Sequence, residues 1–136
     1  MFDGGRKREI AIVRDMVAAM NDHDADRVAS LLGDNPRFVD SHGEWLEGRD
    51  EVIEATRRFL DMDRSFKLHI EQSTHHHGDV LLRGHVTSDQ PAMATDTLWR
   101  ARVKRGKLVY WQSYGSPNAP HLARMLKPMV DTRQPA

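Results

Sequence analysis

The apolar residues of this chain change their spacing once, and that change decides what it can fold into. Up to Phe59 they recur every three or four positions; from Phe66 to Tyr114 they alternate. Ile10, Val13, Met16, Val17 and Met20 predict an amphipathic helix over residues 8–21. Asp24 can cap a second, shorter helix with Val28, Leu31 and Leu32 on its apolar side, and Gly33 with Asn35-Pro36 stops it. Residues 37–42 read as a short strand, and 43–47 as a connection carrying an amphipathic Trp45-Leu46 pair. Asp50 can cap a third helix over 51–61, with Val52, Ala55, Phe59 and Met62 near one side. Four strands are then expected over 66–76, 80–89, 93–104 and 107–114. Gly78 and Arg105-Gly106 mark hairpin turns, and Gln90-Pro91 breaks the middle connection. Helices first and an antiparallel meander afterwards specify an α+β fold, its sheet curling around the helices.

The 136 residues suit a single domain, 1–136, with a core over about 8–116 and an extension over 117–136 that can form a short helix at 121–129. Twenty basic and twenty acidic residues cancel and are scattered, so neither nucleic acid nor an anionic membrane is expected as a partner. With no cysteine, disulfides, thiolate metal sites and cysteine nucleophiles are excluded. No signal-peptide or bilayer-length apolar run occurs, which predicts a cytoplasmic protein. Phosphate-binding glycine loops, serine-hydrolase elbows and His-Glu-x-x-His helices are missing too, and no cofactor is expected.

Two aspartates interrupt apolar strand faces. Asp40 shares a face with Phe38, and Asp96 with Leu98 and, across a hairpin, with Trp111 and Ser113. A carboxylate aimed into an apolar interior is costly unless it is protonated, hydrogen-bonded or used. Asp40 reads either as a general base walled by Phe38 and Trp45 or as the cap of a turn at 41–44. His42, two positions on, can orient it or lie exposed in that turn. Asp96 reads either as a protonated hydrogen-bond donor or as the ion-pair partner of Arg100.

The layout resembles the nuclear transport factor two-like superfamily, an α+β cone that includes SnoaL-like polyketide cyclases and ketosteroid delta-isomerases. Val17-Ala18-Ala19-Met20-Asn21, then Asp24, Val28 and Leu31, are similar to the first two isomerase helices, and the run reaches Phe38-Val39-Asp40 without a gap. Gly48 with Val52, Ala94-Thr95-Asp96 and Lys107-Leu108-Val109 carry the likeness further. It implies a cone-shaped, curved, mixed but mainly antiparallel sheet wrapped around three N-terminal helices. It also implies that Asp40 falls on the catalytic base and Asp96 on the oxyanion-hole aspartic acid. The oxyanion tyrosine of that family falls on Met16. The expected site is therefore Asp40 and Asp96 in one cavity with Met16, Phe38, Trp45, Phe59, Leu98, Trp111 and Ser113 as walls around a small apolar, carbonyl-containing molecule. Cofactor-independent proton transfer is one reading; a non-catalytic ligand-binding or assembly domain is the other.

His75-His76-His77 does not read as a metal site, because alternate histidines point to opposite faces. His69, Glu71 and His85 converge if Glu71 pairs with His85, but a solvated or interfacial polar face is the preferred reading, and no metal is expected. If Val103 pairs with Leu108, Trp99, Tyr110 and Tyr114 lie opposite Asp96. They would then cover a homodimer interface, with Gln112 and the residues around His85, or pack against the C-terminal segment.

Overall fold

Asp24 caps the second helix as its position predicts, accepting from the Arg27 amide at 3.0 Å. In the computed structural model, which describes residues 2–127, the elements follow the expected order apart from one added strand, β2. They are α1 (Phe2–Asn21), α2 (Ala25–Leu31), β1 (Leu32–Val39), β2 (Trp45–Glu47), α3 (Arg49–Met62), β3 (Lys67–His76), β4 (Asp79–Thr87), β5 (Thr95–Lys104), β6 (Lys107–Tyr114) and α4 (Leu122–Leu126). Positions 128–129 of the expected C-terminal helix lie outside the described residues.

The strands form one curved sheet in the order β2-β1-β6-β5-β4-β3, with β1 and β6 parallel and every other pair antiparallel. This is the expected α+β arrangement. Val13, Met16, Val17, Val28, Val52, Ala55 and Phe59 on the first three helices pack against the inward residues of the strands. Burying each large apolar side chain contributes roughly 1.5–3 kcal/mol, so this concave face holds most of the stabilisation.

Three local expectations need correction. The strand expected at 37–42 begins earlier, at Leu32, directly after α2. The Trp45-Leu46 connection is a strand, β2, paired to β1 through Phe38–Leu46. The third helix is capped not by Asp50 but by Gly48, whose φ of 97° belongs to the left-handed region. Asp50 and Glu51 occupy the first turn instead, where negative charge suits the helix dipole.

The sheet has three register shifts, one in β1 between Leu32 and Arg37 and one each in β6 and β3, and the last two set which meander residues face inward. In β6, Val109 is an extra residue between the Val103–Leu108 and Arg102–Tyr110 pairs. Val103 does pair with Leu108 as expected, but beyond the bulge the faces exchange: Trp99 pairs with Ser113, and Leu98 with Tyr114. Trp99, Trp111 and Ser113 therefore lie on one face, and Leu98, Tyr110 and Tyr114 on the other. In β3, Glu71 is the extra residue, so His85 pairs with His69 rather than with Glu71. Gly84, opposite this bulge, lies so close to β3 that a Cβ there would sit 1.8 Å from the His69 carbonyl oxygen.

Candidate functional site

The concave face lines a partly open cavity of about 160 Å³ between the helices and the sheet. Met16 and Met20 of α1, Val52 and Phe59 of α3, and Phe38 and Leu46 of the β1–β2 hairpin supply apolar wall. From the sheet, Thr97 and Trp99 on β5 and Trp111 and Ser113 on β6 complete it. Alternation puts Thr97, Trp99, Ala101 and Val103 inward along β5, and the Val109 bulge brings Trp111 and Ser113 to the same side. The segment after β6 adds Ala119, Pro120, Leu122 and Leu126.

The structure thus brings Met16, Phe38, Phe59, Trp111 and Ser113 to this wall. Trp45 and Leu98 are corrections. Trp45 is 56% exposed on the edge strand, where the Arg37 guanidinium lies over its ring at 5.1 Å. Leu46, its inward neighbour, takes the wall position. Leu98 is 52% exposed on the outer face, because the inward set of β5 has the other parity.

The two aspartates share no cavity. Asp96 lies exposed on the outer face, paired with His85 across β4 and β5, and makes no ion pair with Arg100. Arg100 is drawn instead to Tyr110 at 3.2 Å, Gln112 at 3.3 Å and Asp79 at 3.8 Å. The Tyr110 hydroxyl is the leading reason that the Arg100 guanidinium holds its proton more tightly than usual. Asp40 is inward and only 1% exposed, but it does not line the cavity. Its Oδ1 accepts from the His42 amide at 2.9 Å and the Glu44 amide at 3.1 Å, closing the turn after β1. Its Oδ2 accepts from the Ala123 amide at 3.0 Å, at the start of α4. The turn-capping reading describes this geometry, with a long-range bond that local sequence did not signal.

His42 belongs to the same contact. Its Nε2–H donates to the Ala119 carbonyl at 2.6 Å, and its ring stacks on His121 at 3.8 Å. Glu44 accepts from His121 at 2.7 Å and from Arg124 at 2.6 Å, and these partners hold its carboxyl below the usual range.

No Asp, Glu or His is among the residues lining the cavity. Arg37 lines it but gives its guanidinium to Glu47 at 2.7 Å; the remaining polar character comes from hydroxyls and indoles. Thr56 is committed to the Val52 carbonyl at 2.8 Å, and Ser41 Oγ accepts from the Gly115 amide at 2.9 Å. Among the described residues, the indole N–H groups of Trp99 and Trp111 and the Ser113 hydroxyl have no hydrogen-bond partner. Trp99 is buried while Trp111 and Ser113 are half-buried; a buried donor without a partner costs roughly 1–3 kcal/mol, so a ligand acceptor that reached Trp99 would recover that loss. Trp99 was expected on the outer face, and its inward place is what the strand alternation of β5 alone would have indicated.

On the outer face His69 stacks on His85 at 4.7 Å, and His85 Nδ1 lies 3.2 Å from Glu71. These three side chains do converge, but no group of three or more potential metal ligands forms among the described residues. No described helix is long and apolar enough to cross a membrane.

The family model of the SnoaL-like domain matches residues 13–111. Comparison with curated protein sequences finds no significant match. Among solved structures, a candidate polyketide cyclase from Sinorhizobium meliloti superposes with a TM-score of 0.68 at 16% identity, over 76% of this chain and 93% of its own. An LEH-like epoxide hydrolase from M. tuberculosis gives 0.68 at 18% identity, over 82% and 85%. A hypothetical protein with a ketosteroid isomerase-like fold from Catenulispora acidiphila, in complex with trimethylamine, gives 0.66 at 18%, over 78% and 85%. At such identities the likeness speaks for the fold alone.

Proposed function

Since this chain belongs to the SnoaL-like domain family, we propose that its cavity binds one small, largely apolar molecule carrying a carbonyl or similar hydrogen-bond acceptor. The observation that carries this reading is an apolar cavity whose wall holds unpartnered indole and hydroxyl donors and no ionisable acid or imidazole. Size suggests the class. An apolar cavity of roughly 150 Å³ takes one benzene-sized molecule, so a monocyclic ketone or aldehyde suits the 160 Å³ here. Apolar walls supply affinity, and one or two donors fix the orientation of the carbonyl.

An isomerase- or cyclase-type proton transfer on the same carbonyl is the enzymatic extension of this reading. Its base would be Asp40, which must first exchange backbone donors for substrate. Asp96 faces away from the cavity and takes no part.

The test is a titration with cyclohexanone followed by amide and indole N–H chemical shifts. Binding should move the Trp99 and Trp111 indole signals, and Trp111→Phe should weaken affinity about 5- to 10-fold, the worth of one hydrogen bond. Indole signals that stay fixed while surface amides move would reject the cavity. Turnover of a cyclic enone that survives in Asp40→Asn would reject the enzymatic extension and leave binding in place.

We further propose a homodimer through the outer sheet face. Leu98 and Tyr114 pair there, 52% and 44% exposed, beside Tyr110 and Gln112. Helices cover only the opposite side of the sheet, and a second copy would shield this apolar pair.

A further inference from the structure

One part of the cavity wall is built differently from the rest. The helices and strands hold theirs through ladders and packed apolar faces. The segment after β6 joins no strand and contains two backbone turn bonds, Ala119 N–H to Ser116 carbonyl at 2.9 Å and Leu122 N–H to Pro120 carbonyl at 3.0 Å, leading into the five-residue α4. Yet Ala119, Pro120, Leu122 and Leu126 face the cavity. What keeps them there is a set of bonds from the turn between β1 and β2. Asp40 accepts from Ala123, His42 donates to Ala119 and stacks on His121, and Glu44 grips both His121 and Arg124. On the far side Arg58 donates to the Lys127 carbonyl at 3.0 Å.

All three turn residues lie within five positions of one another, so one loop supplies most of the polar fastening, while Ala123 and Leu126 of α4 pack into the core. A five-residue helix outside any strand ladder opens at lower free energy than the sheet it covers. Gly115 sits at the root of the segment, immediately after β6, and Pro117 stiffens the backbone two positions beyond it. The geometry is that of a short arm fastened near its tip and, through the Gly115 amide on Ser41 Oγ at 2.9 Å, at its root, both times to the turn between β1 and β2.

We propose that residues 116–127 are a lid, pivoting near Gly115, whose opening admits the ligand, and that Asp40, His42 and Glu44 are its latch. The proposal rests on the ligand-binding reading of the cavity. Asp40 is on this account a positioning residue: it holds the arm that completes the wall. An opened arm also enlarges the site, so the size limit applies to the closed form.

Hydrogen exchange on the full chain tests the motion without any ligand. Amides of 119–126 should exchange at least about 10-fold faster than those of β5, and Glu44→Ala and Asp40→Asn should each speed them a further ~5-fold with β4 and β5 unchanged. Glu44→Ala alters a surface side chain, so the test does not depend on Asp40→Asn folding well. With cyclohexanone as probe, association and dissociation rates should rise together in both variants, with the Kd changing less than either rate. The lid is overturned if 119–126 exchange in step with β5 in every protein, or if the variants speed sheet and segment equally. It is also overturned if only the dissociation rate changes, as for a fixed wall. Absence of cyclohexanone binding with the exchange pattern intact would instead reject the cavity reading and leave the pivot standing.

Discussion

Asp40 Oδ2 and the Ala123 amide meet at 3.0 Å across 83 positions of chain, joining the end of β1 to the start of α4. Together with the His42 and Glu44 amides, this gives a nearly inaccessible carboxylate three backbone donors. Such charge-assisted bonds contribute roughly 1.5–3 kcal/mol each, which offsets the desolvation of the group.

Asp40→Ala should therefore cost about 3–5 kcal/mol, since it strands three amides and opens a void. Asp40→Asn, which keeps one accepting oxygen, should cost less than half as much. Urea denaturation measures both. A loss below about 1 kcal/mol for Asp40→Ala would contradict the bonding described.

Gly84→Ala should be among the most destabilising single-methyl additions. The new Cβ would meet the His69 carbonyl at 1.8 Å, and backbone cannot step aside as a side chain can. Separation of β3 from β4 near the Glu71 bulge is expected, with a loss of about 2–4 kcal/mol. Gly43→Ala is the control: nothing lies within 4 Å of its Cβ, so only the strain of its φ of 79° is added. Equal thermal midpoints for the two variants would refute the close approach.

Asp63 predicts a pH dependence. Burial pushes its carboxyl up, but the Ser88 and Ser65 hydroxyls, the Ser65 amide and nearby His23 outweigh it, leaving the group below its ordinary 3.8. A folded-state value below the unfolded one stabilises the protein above about pH 3.8, and that contribution fades as pH falls through the folded value. Asp63→Asn should be less stable than the parent at pH 7, with the gap closing in acid. A gap independent of pH between 7 and 3 would refute the linkage.

The outer face predicts assembly. Leu98→Lys with Tyr114→Lys should convert a dimer into a monomer without lowering the thermal midpoint of the isolated fold, since both side chains are exposed within one chain. Sedimentation at micromolar concentration reads this directly. A parent protein that already sediments as a monomer removes the interface.

Much of the fold was legible in the sequence because it depends on neighbours in sequence. Val13, Met16 and Val17 show α1, Asp24 shows the start of α2, and Arg105-Gly106 marks the β5–β6 turn. Met16, Phe38, Phe59, Trp111 and Ser113 were placed on the cavity wall from the same information. Trp99 and Leu98 were not, and the reason is particular. The charges on β5 fall on Asp96, Arg100, Arg102 and Lys104, which alone marks Trp99 as inward; Leu98 beside Asp96, and a hairpin register without the Val109 bulge, argued for the opposite parity.

The sequence by itself determined the helices, the four-strand meander and its order, because period and side-chain chemistry act locally. Tertiary structure alone decided what Asp40 does and which aromatics meet. One bulged residue, Val109, exchanges every face beyond it, since side chains alternate with a period of two. Likewise, the partner of Asp40 Oδ2 is an amide 83 residues away, made available only when α4 docks against α3 and β2. Backbone donors are chemically alike in sequence, so only packing selects the one a carboxylate receives.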